Sequence, residues 1–396
     1  MFSKYFFVNK CIILSFILIF IYTSYKKDRI YYNINVEDDI MTSVERSKNF
    51  IIRSSNGILD KKPPLKNFNN QRISSIIPLY NCENTILRAI RSIQNQNIED
   101  IEIILVNDFS KDKTLMMINQ FQKEDPRIII INNKKRMGTL YSRSIGTLAA
   151  KGKYLFPLDN DDMFLDSDIF NYIFNEANNN NYDIVKFRGL WARSIEDFML
   201  KRVKTKLYMN HRIGLILHQP ELSYFPIRKH KDYFRDVFLW GKCIKSEIYK
   251  SAINLYGEKN YSEFIIGWED GIINFVICQI SNSFKFIGKY GVFNIISENS
   301  SYFKALNTDN NIYEIKFLQA VFNFSKDSYK GKEIIVYLVT TLLHRKLFKK
   351  TLENKALEKL FNSILKKIME CPYISINDKN IMKNTYSSVL EKKFVK

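Results

Sequence analysis

Three carboxylates lie together directly after an apolar segment near the middle of the chain. Asp159, Asp161 and Asp162 fall within the stretch YLFPLDNDDMF, which runs from Tyr154 to Phe164. Because an isolated buried carboxylate is costly to keep ionised, such a cluster is typical of a solvated turn, a helix cap or a cradle for a cation. The stretch by itself leaves all three interpretations open.

A second acidic pair lies much later in the chain. Glu269 and Asp270 open the segment WEDGIINFVICQI, which has the pattern of a helix. Carboxylates at a helix N-terminus complement the helix dipole, and that is one explanation for the pair. The other is catalytic, because a carboxylate can take a proton from a hydroxyl group as a general base.

Apolar strands alternate with helices in the part of the chain that follows Ile73. The strand patterns are ISSIIPL, IEIILV, RIIII and YLFPL, and the helical patterns between them are NTILRAIRSI, KTLMMINQF and TLYSRSIGTLAA. Continuous apolar strands separated by helices of about a dozen residues predict βαβ units and a parallel sheet covered on both faces. The predicted fold class is therefore α/β.

In a sheet of this kind the ligand site lies beyond the carboxyl ends of the strands. Polar segments follow three of the predicted strands at that edge: YNCEN after the first, NDFSKDK after the second and DNDDM after the fourth. The sequence therefore predicts a ligand site at this edge of the sheet.

The rest of the chain is less regular between Trp191 and Ile295 and has a helical pattern from Tyr313 onward. Apolar residues in this last part recur at helical spacing, which indicates a core face rather than a cofactor site. They are Leu352, Leu357, Leu360, Phe361, Ile364, Leu365 and Ile368.

The amino-acid composition limits the classes of protein to which the chain can belong. The 396 residues are 46% hydrophobic, enough to bury a full core, which excludes a disordered chain. The formal net charge of +19 would suit nucleic acid, an anionic membrane surface or an acidic substrate, with denser basic patches at Lys201–Lys206 and Arg228–Arg235. Since lysines are spread along the whole chain, we interpret the patches as solvated faces and predict no nucleic-acid partner. The five cysteines show neither a zinc spacing nor a disulfide framework.

The N-terminal segment has the composition of a membrane segment. Cys11–Tyr25 is uncharged and nearly all apolar, and extension back to Tyr5 reaches about the 20 residues that a span needs. The shorter run would also suit the apolar part of a signal peptide, but no small-residue cleavage site follows it. We therefore predict an uncleaved anchor and a single-pass membrane protein of type II, which in a eukaryote would face the Golgi or endoplasmic reticulum lumen.

The order and spacing of these motifs resemble the family 2 glycosyltransferases on the GT-A fold. The resemblance covers Arg72 to Ile295 and is strongest over Ser74 to Phe164. The segments that carry it are SIIPLYN, ILVNDFSKDKT, RMGTLYSRSIGTLAAKGKYLFPLDNDDMF, LWGKCIKSEIY and GWEDGII. It implies a Rossmann-like, mostly parallel sheet and an inverting enzyme that moves a single sugar from a nucleotide sugar, with a UDP-sugar favoured. The QxxRW signature of processive synthases in this family is absent from the sequence.

The resemblance also implies a divalent metal, Mn²⁺ or Mg²⁺, as cofactor. Asp161 would be the main ligand and Asp159 would face the ribose or the metal, while Asp162 is expected to cap the following helix. Carboxylates that neutralise a departing diphosphate through a cation account for the acidic cluster in physical terms. Asp270 is implied as the catalytic base, with Glu269 as the alternative.

Further residues of the nucleotide-sugar site follow from the resemblance. Asp108 is expected on the uracil side, and the structural alternative is an Asx turn with Ser110 capping the next helix. Arg143 is expected to face either the diphosphate or a neighbouring acid, and Ser144 replaces an asparagine that is common in the family at that point. The complete implied set is Pro78, Tyr80, Asn81, Asp108, Ser110, Gly138, Arg143, Asp159 and Asn160. Trp240 and Trp268 would stack on an acceptor sugar or else pack in the core.

The predicted partners are a nucleotide-sugar donor and a glycan, lipid or protein acceptor. The chain itself is predicted to have five parts. They are a short tail and membrane anchor at 1–25, a stem or linker at 26–71, a nucleotide-sugar-binding half at 72–190, an acceptor-binding half at 191–300 and a helical C-terminal region at 301–396. The alternative function is a catalytically inactive GT-A protein that binds glycans or acts as a scaffold, because a fold does not guarantee activity.

Overall fold

A computed structural model describes most of the chain between residues 36 and 391. The described residues are 36–60, 72–201, 204–205, 216–218, 238–264, 269–295, 312–325, 335–336, 338–340, 343 and 354–391. The predicted membrane anchor at 1–25 lies outside them, as do Trp268, half of the first basic patch and all of the second.

Ten strands form one sheet, in the order β3-β2-β1-β4-β9-β6-β10-β5, with β7 on β6 and β8 on β10. The strands are β1 (Ile73–Leu79), β2 (Ile101–Asn107), β3 (Ile128–Asn132), β4 (Tyr154–Pro157), β5 (Met163–Phe164), β6 (Ile184–Ala192), β7 (Lys204–Thr205), β8 (Ile216–His218), β9 (Lys242–Lys245) and β10 (Ser283–Ile295). The first four are parallel, as predicted. β9 differs, because it lies antiparallel between β4 and β6 and makes the whole sheet mixed.

Helices cover both faces of this sheet. They are α1 (Val36–Ser55), α2 (Ile86–Gln94), α3 (Thr114–Glu124), α4 (Thr139–Ala149), α5 (Ile169–Asn179), α6 (Ile195–Met199), α7 (Ser246–Tyr256), α8 (Glu258–Tyr261), α9 (Glu269–Ile280), α10 (Ile312–Ser325), α11 (Lys355–Glu370) and α12 (Ile376–Glu391).

The two faces of the sheet belong to different apolar cores, because successive strand residues point in opposite directions. Ile76 of β1 packs in the core that contains α7, α9 and the C-terminal helices, whereas Ile77 packs with α2 and α5 on the other side. Helix α4 lies very close to the sheet: a Cβ on Gly146 would come within 2.8 Å of the Ile76 side chain and 2.9 Å of Val106. Glycine is therefore needed at this point for α4 to reach its position beside β1 and β2.

Most of the C-terminal apolar stripe is buried, as the sequence predicted, although Leu360 is only half-buried and Leu352 lies outside the described residues. Leu357, Phe361, Ile364, Leu365 and Ile368 of α11 all belong to the core that also contains α7 and α9. This helical region therefore packs onto the sheet domain.

The N-terminal helix α1 lies where a stem or linker was predicted. Ile40, Val44, Ser47, Ile51 and Ser54 are all buried, at alternating spacings of four and three residues that place them on one helix face. Ile40, Val44 and Ile51 pack beside Met163, Leu165, Leu190 and Phe293 in a third apolar core. Two of the five buried positions are serine, which weakened the apolar pattern in the sequence.

Substitution of two adjacent isoleucines of α1 tests whether this helix contributes to the core. Ile51 is fully buried, whereas the side chain of Ile52 is 41% exposed. We expect Ile51→Ala to lower the free energy of unfolding by about 2–4 kcal/mol, because it leaves a cavity, and Ile52→Ala by less than about 1 kcal/mol. Urea denaturation of both variants measures the difference. Equal, small losses would show that α1 does not contribute to the core.

The predicted single-pass membrane localisation is corrected by the structure. Among the residues that the structure describes, no helix has both the length and the apolar character needed to cross a membrane.

Candidate active site

Strand order creates a crevice at the carboxyl edge of the sheet. β1 has β2 on one side and β4 on the other, so the loops that follow β1 and β4 start out as neighbours at a point where the strand order reverses. The side-chain amide of Asn160 donates a hydrogen bond to the carbonyl oxygen of Pro78 at 3.0 Å and joins these two loops. The structure thus brings the first and fourth polar segments together.

The loops after β1 and β2 are joined by a second set of hydrogen bonds. Asn81 donates its backbone N–H to Ser110 Oγ at 3.1 Å and accepts from the backbone N–H of Lys111 at 2.8 Å. Asn81 has a positive φ of 48°, in the left-handed region that asparagine tolerates better than most residues. The side chains of Asn81 and Ser110 therefore hold the crevice in shape.

Asp108 orders the loop that leads into α4. Its carboxylate accepts hydrogen bonds from Asn133 Nδ2 at 2.8 Å, Met137 N at 2.7 Å and Gly138 N at 2.8 Å. Gly138 has a φ of 91°, which a residue with a side chain rarely adopts. A carboxylate offers about four acceptor positions, so roughly one remains for a ligand. The Asx turn considered for Asp108 is made instead by Asn107, whose Oδ1 accepts from Ser110 N at 3.1 Å.

Tyr80 lies at the rim of the same crevice, and the guanidinium group of Arg136 packs over its ring. The Arg136 guanidinium carbon is 3.8 Å from the centre of the Tyr80 ring and 5.2 Å from that of Phe264, which is 51% exposed. Sequence analysis overlooked Arg136, although its position two residues before Gly138 in the RMG segment was a usable signal.

The three aspartates of the central cluster have different surroundings. Asp162 is buried, and its carboxylate accepts hydrogen bonds from Asn294 Nδ2 and from Ile295 N at 3.2 Å. Burial and the neighbouring Asp161 raise the pKa of Asp162 well above its usual value. Its partners lie on β10, so the helix cap predicted for Asp162 is replaced by a contact that holds the cluster against the sheet.

Asp161 presents a carboxylate to which no other described residue donates a hydrogen bond. Its backbone carbonyl accepts from Arg88 Nη2 at 2.9 Å, which fixes the turn. Burial, and then the charge of Asp159, raise the pKa of Asp161 to about 6. A cation would relieve both effects, since each arises from uncompensated negative charge.

Arg143 connects the central cluster to the second acidic pair. Its buried Nη2 lies 2.9 Å from Asp159 Oδ1, 3.2 Å from Asp270 Oδ1 and 3.9 Å from Glu269 Oε1. Of the two alternatives for Arg143, the structure shows the contact with neighbouring acids. Residues that are far apart in the sequence therefore meet on one guanidinium group.

The two acids of the pair differ in their electrostatics. Burial and the charge of Asp270 raise the pKa of Glu269 to about 8. Burial also raises the pKa of Asp270, but Arg143 opposes that rise most strongly and Lys242 adds to the opposition. The backbone N–H of Leu239 donates to Asp270 Oδ2 at 3.3 Å. Asp270 is therefore the acid of the pair whose ionised form is better supported.

Lys242 and Asn274 support Asp270, and sequence analysis overlooked both. The fully buried Lys242 ammonium on β9 donates to Asn274 Oδ1 and to the Phe238 carbonyl, both at 2.7 Å. Asn274 follows Asp270 by four residues in α9, so both lie on one helix face. That spacing was visible in the sequence, and the segment VFLWGKCI also has the pattern of a strand, but the contact between this strand and α9 could not be predicted.

Trp240 packs against protein atoms on several sides. Its ring centre is 5.2 Å from that of Phe238 and 4.8 Å from Lys186 Nζ. A Cβ on Gly189 would lie 2.6 Å from the Trp240 ring. The half-buried ring thus fits the core-packing alternative more closely than an open sugar platform.

The residues present fit a metal ion that is coordinated partly by the protein and partly by a substrate. Within the described ranges no group of three or more acidic, histidine or cysteine side chains could enclose an ion. Mg²⁺ is commonly held by one or two carboxylates together with substrate phosphates rather than by a protein cage. The Asp161 carboxylate, with Asp159 nearby, matches that donor set.

Comparison with known proteins is consistent with this geometry. The family model described as glycosyl transferase family 2 matches residues 74–243. An uncharacterized glycosyltransferase of Haemophilus influenzae is 32% identical over 174 residues, which cover 41% of this chain and 68% of that protein. The chain belongs to glycosyl transferase family 2. The prediction of a glycosyltransferase is confirmed at this level.

Other family members match over shorter shares of their length. The uncharacterized glycosyltransferase EpsJ of Bacillus subtilis is 31% identical over 187 residues, 47% of this chain and 51% of EpsJ. The minor teichoic acid biosynthesis protein GgaB of the same organism is 37% identical over 119 residues, 29% of this chain and 13% of GgaB. The chain thus spans about half of EpsJ and much less of GgaB.

A solved structure supports the fold. S. aureus TarS 1–349, in complex with UDP-GlcNAc, superposes with a TM-score of 0.59 at 12% identity and covers 81% of this chain and 91% of that one. The predicted GT-A-like α/β fold of this glycosyltransferase is thereby confirmed.

Proposed function

We propose that this family 2 glycosyltransferase transfers a single sugar from a nucleotide sugar, with a UDP-sugar as the favoured donor, to a hydroxyl of a glycan, lipid or protein acceptor. The observation that carries the proposal is the meeting of Asp159 and Asp270 on Arg143. Two acidic clusters with separate roles, one for the leaving group and one for the acceptor, come together at the carboxyl edge of an α/β sheet.

The donor would lie in the crevice between the loops after β1, β2 and β4. Pro78, Tyr80 and Asn81 line one side, and Asp108 with the Gly138 loop lines the other. UDP as the nucleotide is supported by two relatives: TarS is in complex with UDP-GlcNAc, and the Escherichia coli relative WfaP is named as a UDP-Glc-dependent β-1,3-glucosyltransferase.

Asp161, with Asp159, would hold a divalent cation, Mn²⁺ or Mg²⁺. When bound, such an ion supplies Lewis-acid stabilisation of the negative charge on a departing diphosphate. The chain's own contribution is to keep the half-buried Asp161 carboxylate free of competing donors from other described residues, while Asp162 anchors the turn to β10.

Asp270 would act as the base. In an inverting displacement the acceptor oxygen attacks the anomeric carbon as the bond to the diphosphate breaks, and its proton passes to a carboxylate. Arg143 and Lys242 favour the ionised form of Asp270. Glu269, with its pKa raised to about 8, is protonated at neutral pH and is less suited to the role.

Nucleotide binding with and without manganese tests the proposal. Calorimetric titration of the protein with UDP, GDP and CDP should show tightest binding of UDP, and only with the ion present. Asp161→Asn should weaken UDP binding at least about tenfold, since it removes a charged ligand. Asp166→Asn is the matched control, because Asp166 lies nearby but faces Lys289.

Two outcomes would count against the proposal. A folded protein that binds no nucleotide would remove its basis. Binding that ignores both manganese and Asp161→Asn would favour a catalytically inactive binding protein instead.

A further inference from the structure

Phe109 is a strained residue at the edge of the proposed donor site. It follows Asp108 directly and has a φ of 62°, in the left-handed region, where a bulky side chain is uncommon and costs free energy. Its ring is 39% exposed. Burial of the ring therefore offsets the strain only in part.

Hydrogen bonds on both sides keep the loop in this conformation. Asn107 accepts from the N–H of Ser110, Ser110 Oγ accepts from Asn81, and Asn81 accepts from Lys111. These contacts tie the residues on either side of Phe109 to the loop after β1. Strained backbone persists where the surroundings over-determine it, and such positions concentrate at ligand sites.

The ring has one charged neighbour. The Lys111 ammonium lies 3.4 Å from the centre of the Phe109 ring, which is a cation–π contact. This contact orients the ring, and the exposed part of the ring leaves room for a second planar group. Asp108, the preceding residue, faces the Gly138 loop across the crevice.

We propose that Phe109 contacts the nucleobase of the donor and contributes to its selection. This inference rests on the proposed function, because it concerns the same donor site. A flat aromatic ring held at the rim suits a flat heterocycle, and stacking between bases and aromatic side chains contributes substantially to nucleotide affinity. It also explains why a bulky residue occupies a position whose backbone favours glycine.

Three proteins and two ligands test the inference: the wild type, Phe109→Gly and Phe109→Tyr, each titrated with UDP and with inorganic pyrophosphate in the presence of manganese. Phe109→Gly should weaken UDP binding about tenfold. It should leave pyrophosphate binding unchanged, because pyrophosphate has no base. Phe109→Tyr should keep both affinities, since it keeps the ring.

Thermal unfolding supplies a second readout. Because glycine adopts positive φ freely, Phe109→Gly should unfold at the same temperature as the wild type or higher. Lost UDP affinity in an equally stable protein would support a binding role.

The possible failures are distinguishable. If the wild type binds UDP and Phe109→Gly binds it equally well, the inference is wrong and the proposed function stands. If Phe109→Gly weakens UDP and pyrophosphate alike, the ring acts on the loop and not on the base, and the inference is also wrong. If the wild type binds neither ligand, the proposed function fails and the inference with it.

Discussion

Asp270→Asn is expected to lower the rate of sugar transfer at least about a hundredfold, because it removes the group that we propose takes the acceptor proton. The amide has nearly the shape of the carboxylate, so UDP affinity should change by less than about twofold, in keeping with a group that acts on the acceptor side. Radiolabelled sugar transfer at saturating donor measures the rate, and calorimetry measures the affinity.

Glu269→Gln is the matched control for this prediction. Glu269 is adjacent, is also near Arg143, and is protonated at neutral pH because its pKa is raised to about 8. A neutral amide therefore resembles its existing state, and the rate should fall much less. A larger fall in Glu269→Gln than in Asp270→Asn would reassign the base to Glu269.

Arg143→Met is expected to lower the free energy of unfolding by about 3–5 kcal/mol, which is typical when one partner of a buried ion pair is removed. The guanidinium is 2% exposed and lies beside Asp159, Glu269 and Asp270. Without it, Asp159 and Asp270 would lose their shared counter-charge. Urea denaturation at neutral pH, with two-state behaviour checked by two probes, measures the loss.

Arg72→Met is the comparison for this variant. Arg72 pairs with Asp100 at 3.0 Å, but both side chains are more than 40% exposed, so its loss should cost less than about 1 kcal/mol. In the double variant Arg143→Met, Asp270→Asn the destabilisation should be smaller than the sum of the single losses, since the second change removes a charge that the first left unpaired. Additive losses would mean that Arg143 and Asp270 do not interact.

Several elements could be predicted from the sequence because their signals are local. The pattern ISSIIPL coincides with β1, and YLFPL contains β4, since both are short, mainly apolar runs bounded by polar residues. The stripe of α11 was recognised for a similar reason, because apolar residues three and four apart share a helix face. Helix α1 was missed because serine occupies part of its buried face.

The candidate site, too, could be predicted from the sequence only in part. In the sequence, polar clusters follow the first, second and fourth strands. The direction of the chain places these clusters at one edge of a parallel sheet. The distinct surroundings of Asp159, Asp161 and Asp162 could not be predicted in this way. Asp159 depends on Arg143 of α4 and Asp162 on β10, both of which lie elsewhere along the chain. The Asp161 carboxylate accepts a hydrogen bond from no other described residue.

The sequence by itself determined the α/β class, the first four strands and the edge of the sheet where chemistry was expected, since hydrophobic period and turn composition act over a few residues. Only the tertiary structure decided which acids meet. β9 inserts antiparallel between β4 and β6 and carries Lys242 into the core, where it faces Asn274, and α9 brings Asp270 to Arg143. Such long-range pairings depend on how whole faces of helices and strands pack together, which no short stretch of sequence specifies.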